Sequence, residues 1–244
     1  LAHTGRRKVL VFEGAYHGLG LGALDATQIG GLTATQAAAL TTTQLSGLSV
    51  TNLSALDATQ IAALSATQTG ALTTTQLAAL DSTDIAELTA TQLSALSTAQ
   101  VQSLTSTNMA DLAATQIAAF TATQVQALSA TKIAAFTDTQ IAALTTTQVG
   151  ALSTTQTAGL TATNVAALTT TQIGALSATQ LARLSSTAFN AFDATQVSAL
   201  SATQVRALTA TQVGGLTTTD VGELSTTQIA ALTTTQVRGF SATN

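Results

Sequence analysis

The sequence predicts an all-α superhelical solenoid of very short helices, one per eight-residue repeat. Three observations carry this prediction. An octad of consensus L-[T/S/D]-x-T-Q-[I/V/L]-x-A runs without insertion from Leu24. Its second to fifth slots spell a helix start, and its length suits neither a continuous helix nor a plain strand.

The repeat comes first because a missed period misassigns the whole fold. With Leu24 as slot 1, the slot recurs at Leu32, Leu40, Leu48, Leu56 and onward to Phe240, always as Leu or Phe (Phe120, Phe136, Phe192, Phe240). Slot 6 is apolar at Ile29, Leu45, Ile61, Val125, Ile173 and Val237, with Ala37, Thr69 and Thr157 as weaker members. Slots 1, 6 and 8 are the expected buried set. Eight residues of α-helix turn through about 800°, so a continuous helix would drift by about 80° per repeat. A strand would send slots 1 and 6 to opposite faces.

Slots 2 to 5 read S/T-x-x-Q, as in Thr33-Ala34-Thr35-Gln36 and Ser65-Ala66-Thr67-Gln68. In a capping box the Ser or Thr oxygen takes the amide three residues on, and the Gln side chain reaches back to the cap amide. Slot 1 then precedes the cap and slot 6 is the fourth helical position, the two partners of a hydrophobic staple. Asp25, Asp57, Asp81 and Asp193 replace Ser or Thr in slot 2, and Asp is among the strongest N-caps. Ala113 is the one break in slot 2.

A helix restarted every eight residues is too short to stand alone in water. Stability must come from stacking of neighbouring repeats. Small residues in slot 8 (Ala39, Gly47, Ala55, Ala151) are expected at close approaches between turns, and Glu87, Asp111, Arg183 and Glu223 there are expected to mark irregularities. The alternative fold is a β-solenoid with stacked Thr ladders, which the Thr content favours. Ala in the repeat core, the lack of Gly, Asn or Pro at regular corners, and the capping box weigh against it.

Composition narrows the function. Charged residues are 7% of the chain, and Pro, Cys and Trp are absent, while hydrophobic residues reach 45%. That hydrophobic share departs from the signature of disorder, so the array should fold. Residues 1–23 carry three bases and one acid, a net of +2; the remainder carries ten acids and four bases, a net of −6. Lys132, Arg183, Arg206 and Arg238 are scattered, which argues against nucleic acid as a partner. No apolar run is long enough to span a membrane, and Val9–Phe12 is too short for a signal-peptide core.

Two domains are expected: a non-repeat N-terminal segment, residues 1–23, and the octapeptide-repeat solenoid, residues 24–244. The opening L-A-H-T-G-R-R-K-V-L-V-F-E-G-A-Y-H-G resembles a segment of class III aminotransferases such as glutamate-1-semialdehyde aminotransferase. That resemblance implies that Tyr16, beside His17, would pack on a pyridoxal phosphate ring. The family's downstream Asp and Schiff-base lysine have no counterpart: Lys132 is the only lysine after Lys8 and fills a repeat slot. The segment therefore reads as a fusion remnant, with no cofactor expected. The octads resemble Ala/Thr-rich short tandem repeats of bacterial secreted or surface proteins, and L-T-x-x-Q-V-x-A is similar to the first helix of TAL-effector repeats. Those repeats are longer and basic, so DNA binding is not carried over.

No catalytic, cofactor-binding or metal-binding residue is expected. His3 and His17 have no paired ligands nearby, and every serine lies far along the chain from them. Asp81, Asp84 and Glu87 form the one acidic cluster, read as a solvated helix start. Thr in slot 4 (Thr27, Thr35, Thr43, Thr51 and onward, with Ala99 the exception) has a local role, its hydroxyl meeting free backbone groups; on a β-solenoid it could instead order water and bind ice. Gln in slot 5 is read as a cap partner. The expected function is a non-catalytic spacer, scaffold or self-assembling rod whose partner is itself. The alternative is a module binding a protein ligand through slots 3 and 7 (Gln102, Gln126, Arg206, Arg238). An extracellular or cell-surface setting is favoured.

Overall fold

The computed structural model describes residues 25–240. The aminotransferase-like stretch, with Tyr16, His3 and His17, lies outside the described residues. Among those described, each octad forms one helix of four to six residues, 27 in all from Ala26–Gly30 to Thr234–Val237, and there is no strand. The described residues are thus all-α, as the repeat predicts, and the β-solenoid is set aside.

The local chemistry explains each restart. Thr33 sits in extended backbone (φ −76°, ψ 159°) ahead of helix Ala34–Ala38. Its Oγ1 accepts the Gln36 amide at 3.3 Å, while the Thr33 amide donates to Gln36 Oε1 at 2.8 Å. Asp57 and Gln60 make the same exchange at 2.9 and 2.6 Å. Asp81 goes further, its Oδ1 accepting both Thr83 and Asp84 amides at 2.8 and 2.9 Å. At Ala113 no cap oxygen exists, and the Gln116 amide bonds the Ala113 carbonyl instead at 2.9 Å. The chain leaves a helix through extended slots 1 and 2, as at Leu104 (φ −56°, ψ 133°) and Thr105 (φ −72°, ψ 167°). Two ordinary extended residues therefore make the corner, and neither Gly nor Pro is required.

The chain divides into two compact units, Leu1–Ala119 and Phe120–Asn244. Within the first, Ala34–Ala38 packs on Ala58–Ala62, which packs on Ser82–Glu87, which packs on Ser106–Asp111. Within the second, Thr154–Ala158 packs on Ala178–Arg183, which packs on Ala202–Ala207, which packs on Thr226–Ala231. Partners lie three octads apart in both units. Each unit is therefore a solenoid whose coil closes every three octads, so residues 24 apart stack on one side.

Slots 1 and 6 line the core, as expected. Ile85, Leu93, Met109 and Ile117 in the first unit, and Ile141, Val149, Leu181 and Phe189 in the second, are fully buried. Thr69 and Thr157 also occupy slot 6, and their buried hydroxyls donate to the Ser65 and Ser153 carbonyls at 3.2 and 3.0 Å. This back-bonding satisfies a polar group without a distant partner.

Slot 8 departs from expectation: no slot 8 side chain is buried, and Ala39, Gly47 and Ala95 are exposed. Slot 5 is buried in its place, as at Gln60, Gln92, Gln148 and Gln212. The reason is angular. At about 100° per residue, slots 5 and 6 straddle the inward direction, and slot 8 stands about 110° from its centre. The charged slot 8 residues produce no irregular helices either: Ser82–Glu87, Ser106–Asp111, Ala178–Arg183 and Thr218–Glu223 each end on one.

Candidate functional surface

The most specific chemistry lies on the buried side of slot 5. Each slot 5 amide has two jobs set by its two ends. In the second unit, Gln172 Oε1 accepts the Thr169 amide at 2.7 Å, while Nε2 donates to the carbonyls of Ile141 and Leu144 at 2.8 and 2.7 Å. Gln204 repeats this on Ile173 and Leu176 at 2.9 and 2.8 Å. In the first unit, Gln92 reaches Ile61 and Leu64 at 2.7 and 2.9 Å, and Gln60 reaches Gly30 and Leu32. The shorter Asn108 still reaches the Leu80 carbonyl at 2.8 Å. Oxygen therefore caps its own helix, and nitrogen ties that helix to the preceding coil turn.

This second job went unread in the sequence because its partners lie 28 to 31 residues away. One signal pointed to it. Glu serves a capping box as well as Gln, yet Glu never occupies slot 5. An N–H donor is favoured there, with Asp84, Ala188 and Asp220 as departures.

The outer surface is small and polar. Slot 4 is exposed in every described octad, Ala99 included. Thr27, Thr75, Thr147 and Thr195 make no side-chain hydrogen bond among the described residues. The expected local job for that hydroxyl is therefore absent, and the helical fold removes the β-solenoid on which the ice-binding idea depended. Gln102, Gln126, Arg206 and Arg238 are exposed. Arg206 and Arg238 stand on different sides of the three-octad coil, 32 residues apart in sequence.

Charge is uneven. Residues 25–119 hold Asp25, Asp57, Asp81, Asp84, Glu87 and Asp111 and no base. All but Asp25 fall in the octads that begin at Leu56, Leu80 and Leu104, which stack on one side. Burial pushes the Glu87 carboxyl above its ordinary value, and the charges of Asp84, Asp57 and Asp81 push it further. Its Oε2 is buried with no hydrogen-bond partner. In the second unit, burial pushes the Lys132 ammonium below its ordinary value. Lys132 fills slot 5, so its side chain offers no oxygen to the Ser129 amide.

Among the described residues no three His, Cys, Asp or Glu side chains converge to hold a metal ion. No described helix is long and apolar enough to cross a membrane. The family model of the ALTTAQ repeat matches residues 77–114, 117–154 and 189–226. No curated protein matches the chain. The chain is a tandem short-repeat protein.

Proposed function

We propose that this repeat protein is a non-catalytic structural solenoid serving as a spacer or scaffold. The observation that supports this most is the complete assignment of the recurring inner residues. Slots 1 and 6 fill the core, slot 2 caps, and slot 5 caps and ties coil turns together. Outside remain mostly small polar side chains, and among the described residues no three His, Cys, Asp or Glu side chains converge to hold a metal ion. The separation of Arg206 from Arg238 around the coil favours a scaffold over a ligand-binding patch. The test is a set of arrays shortened by one, two and three whole coil turns and examined by small-angle X-ray scattering. A spacer loses a constant increment of maximum dimension per 24 residues removed. Dimensions that ignore the number of turns overturn the reading.

Self-association is a second reading, supported by a chain only 7% charged, which leaves little electrostatic repulsion between copies. Sedimentation velocity across a hundredfold range of concentration tests it. A concentration-independent monomer removes it.

A further inference from the structure

We propose that Asp84 makes its octad an acid-tightened joint, in which protonation of the carboxyl supplies the hydrogen needed to bond the Leu56 carbonyl of the preceding coil turn. Asp84 is buried in slot 5, where the repeat carries an amide. Asn108, of the same length, shows what that position does: its Nδ2 donates to the slot 1 carbonyl 28 residues back, at 2.8 Å. Asn164 does the same in the second unit, on Phe136 at 3.2 Å. The equivalent carbonyl for Asp84 is Leu56, which receives no hydrogen bond among the described residues. An ionised carboxylate only accepts. It takes the Asp81 amide at 3.2 Å and the Ser54 side chain, and leaves a carboxylate where the repeat places a donor. A protonated carboxyl has the donor and keeps an oxygen for Asp81.

The surroundings favour the protonated form. The packed helices are Ala58–Ala62 and Ser106–Asp111, and their charged groups are Asp57 and Asp111; Asp81 and Glu87 belong to the same octad as Asp84. All are acids, and no base lies between residues 25 and 119. Burial pushes the Asp84 carboxyl above its ordinary value, and Asp81 adds to this, against hydrogen bonds from Asp81 and Ser54. An acid whose folded pKa is raised stabilises the fold fully below its unfolded pKa and loses that contribution as pH rises through the folded value. The joint is therefore tight in acid and loosens towards neutrality, opposite to ordinary acid denaturation.

Hydrogen exchange followed by mass spectrometry on the full chain tests this, with intrinsic rates corrected between pH 7.5 and 4.5. The peptides covering residues 80–88 should gain protection severalfold on acidification, and Asp84→Asn should hold high protection at both values. Asn occupies this slot at positions 52, 108 and 164, so the variant should fold. Glu87→Gln separates the neighbouring acid. Loss of the pH response in Asp84→Asn with its retention in Glu87→Gln supports the proposal. A response that survives Asp84→Asn, vanishes only in Glu87→Gln, or is absent from the unaltered chain overturns it.

Discussion

Replacing Gln172 by Ala separates the two jobs of slot 5. The Leu144 carbonyl is buried and takes its hydrogen bond from Gln172 alone among the described residues, so the change orphans a buried acceptor, at about 1–3 kcal/mol. The Ile141 carbonyl keeps the Leu144 amide at 3.2 Å and is not orphaned. Thr169 is exposed, so water takes over its freed amide, and the lost cap costs about 0.5–1 kcal/mol. The expected loss is about 3 kcal/mol. Thr169→Ala removes the hydroxyl that accepts the Gln172 backbone amide at 3.2 Å and leaves the Gln172 side-chain nitrogen on its two carbonyls, so it should cost only about 1 kcal/mol. Urea unfolding of both variants, with hydrogen exchange locating the weakened octad, measures the difference. Equal losses at the two positions would refute the assignment of the amide nitrogen as the tie between turns. Gln172→Glu, which keeps the oxygen and removes the donor, should lose at least as much as the Ala variant.

Other changes have defined signs. Ala113→Ser restores a cap oxygen and should raise stability by about 1 kcal/mol in the same urea assay. Lys132→Gln should also stabilise at neutral pH. A base with a lowered folded pKa contributes fully above its ordinary value of 10.5 and loses this as pH falls through the lowered value, so the gain from Gln should shrink in strongly alkaline solution. Phe189→Ala removes a fully buried ring packed edge-on to Phe192 at 5.2 Å and should cost about 3–5 kcal/mol. Deleting residues 144–151 keeps every later slot in phase and should leave the helical circular dichroism signal per residue and a sharp melt. Deleting residues 148–151 breaks the phase and should broaden the melt.

How much of this was legible follows from distance along the chain. Slot 2 and slot 5 exchange bonds three residues apart, and the S/T-x-x-Q pattern announces them. Leu or Phe in slot 1 and Ile, Val or Leu in slot 6 announce the core by hydrophobicity alone. Slot 8 misled because Ala and Gly suit both a close approach and an exposed helix end, and only the angular position within a six-residue helix decides between them. The three-octad closure was invisible, since it is set by the corner at residues such as Leu104 and Thr105. With it went the stacking of Asp57, Asp81 and Asp111, each 24 or more residues from the next yet on one side. The bare slot 4 surface was equally hidden, because Thr at that point has a plausible local use that its exposed hydroxyl does not make.

The slot 5 amide points in only one direction, from each octad to the turn already laid down before it. Its longest reach among the described residues is 31 residues, and the reach stays the same however many octads the array contains. A chain emerging from the ribosome can therefore complete each octad's bonds soon after that octad appears, with no need to wait for sequence still to be made. Loop-closure entropy is met once per turn in equal steps and never accumulates with length. Such an array is able to fold as it is made, and octads can be added or lost by gene duplication without changing the size of the step by which the chain folds.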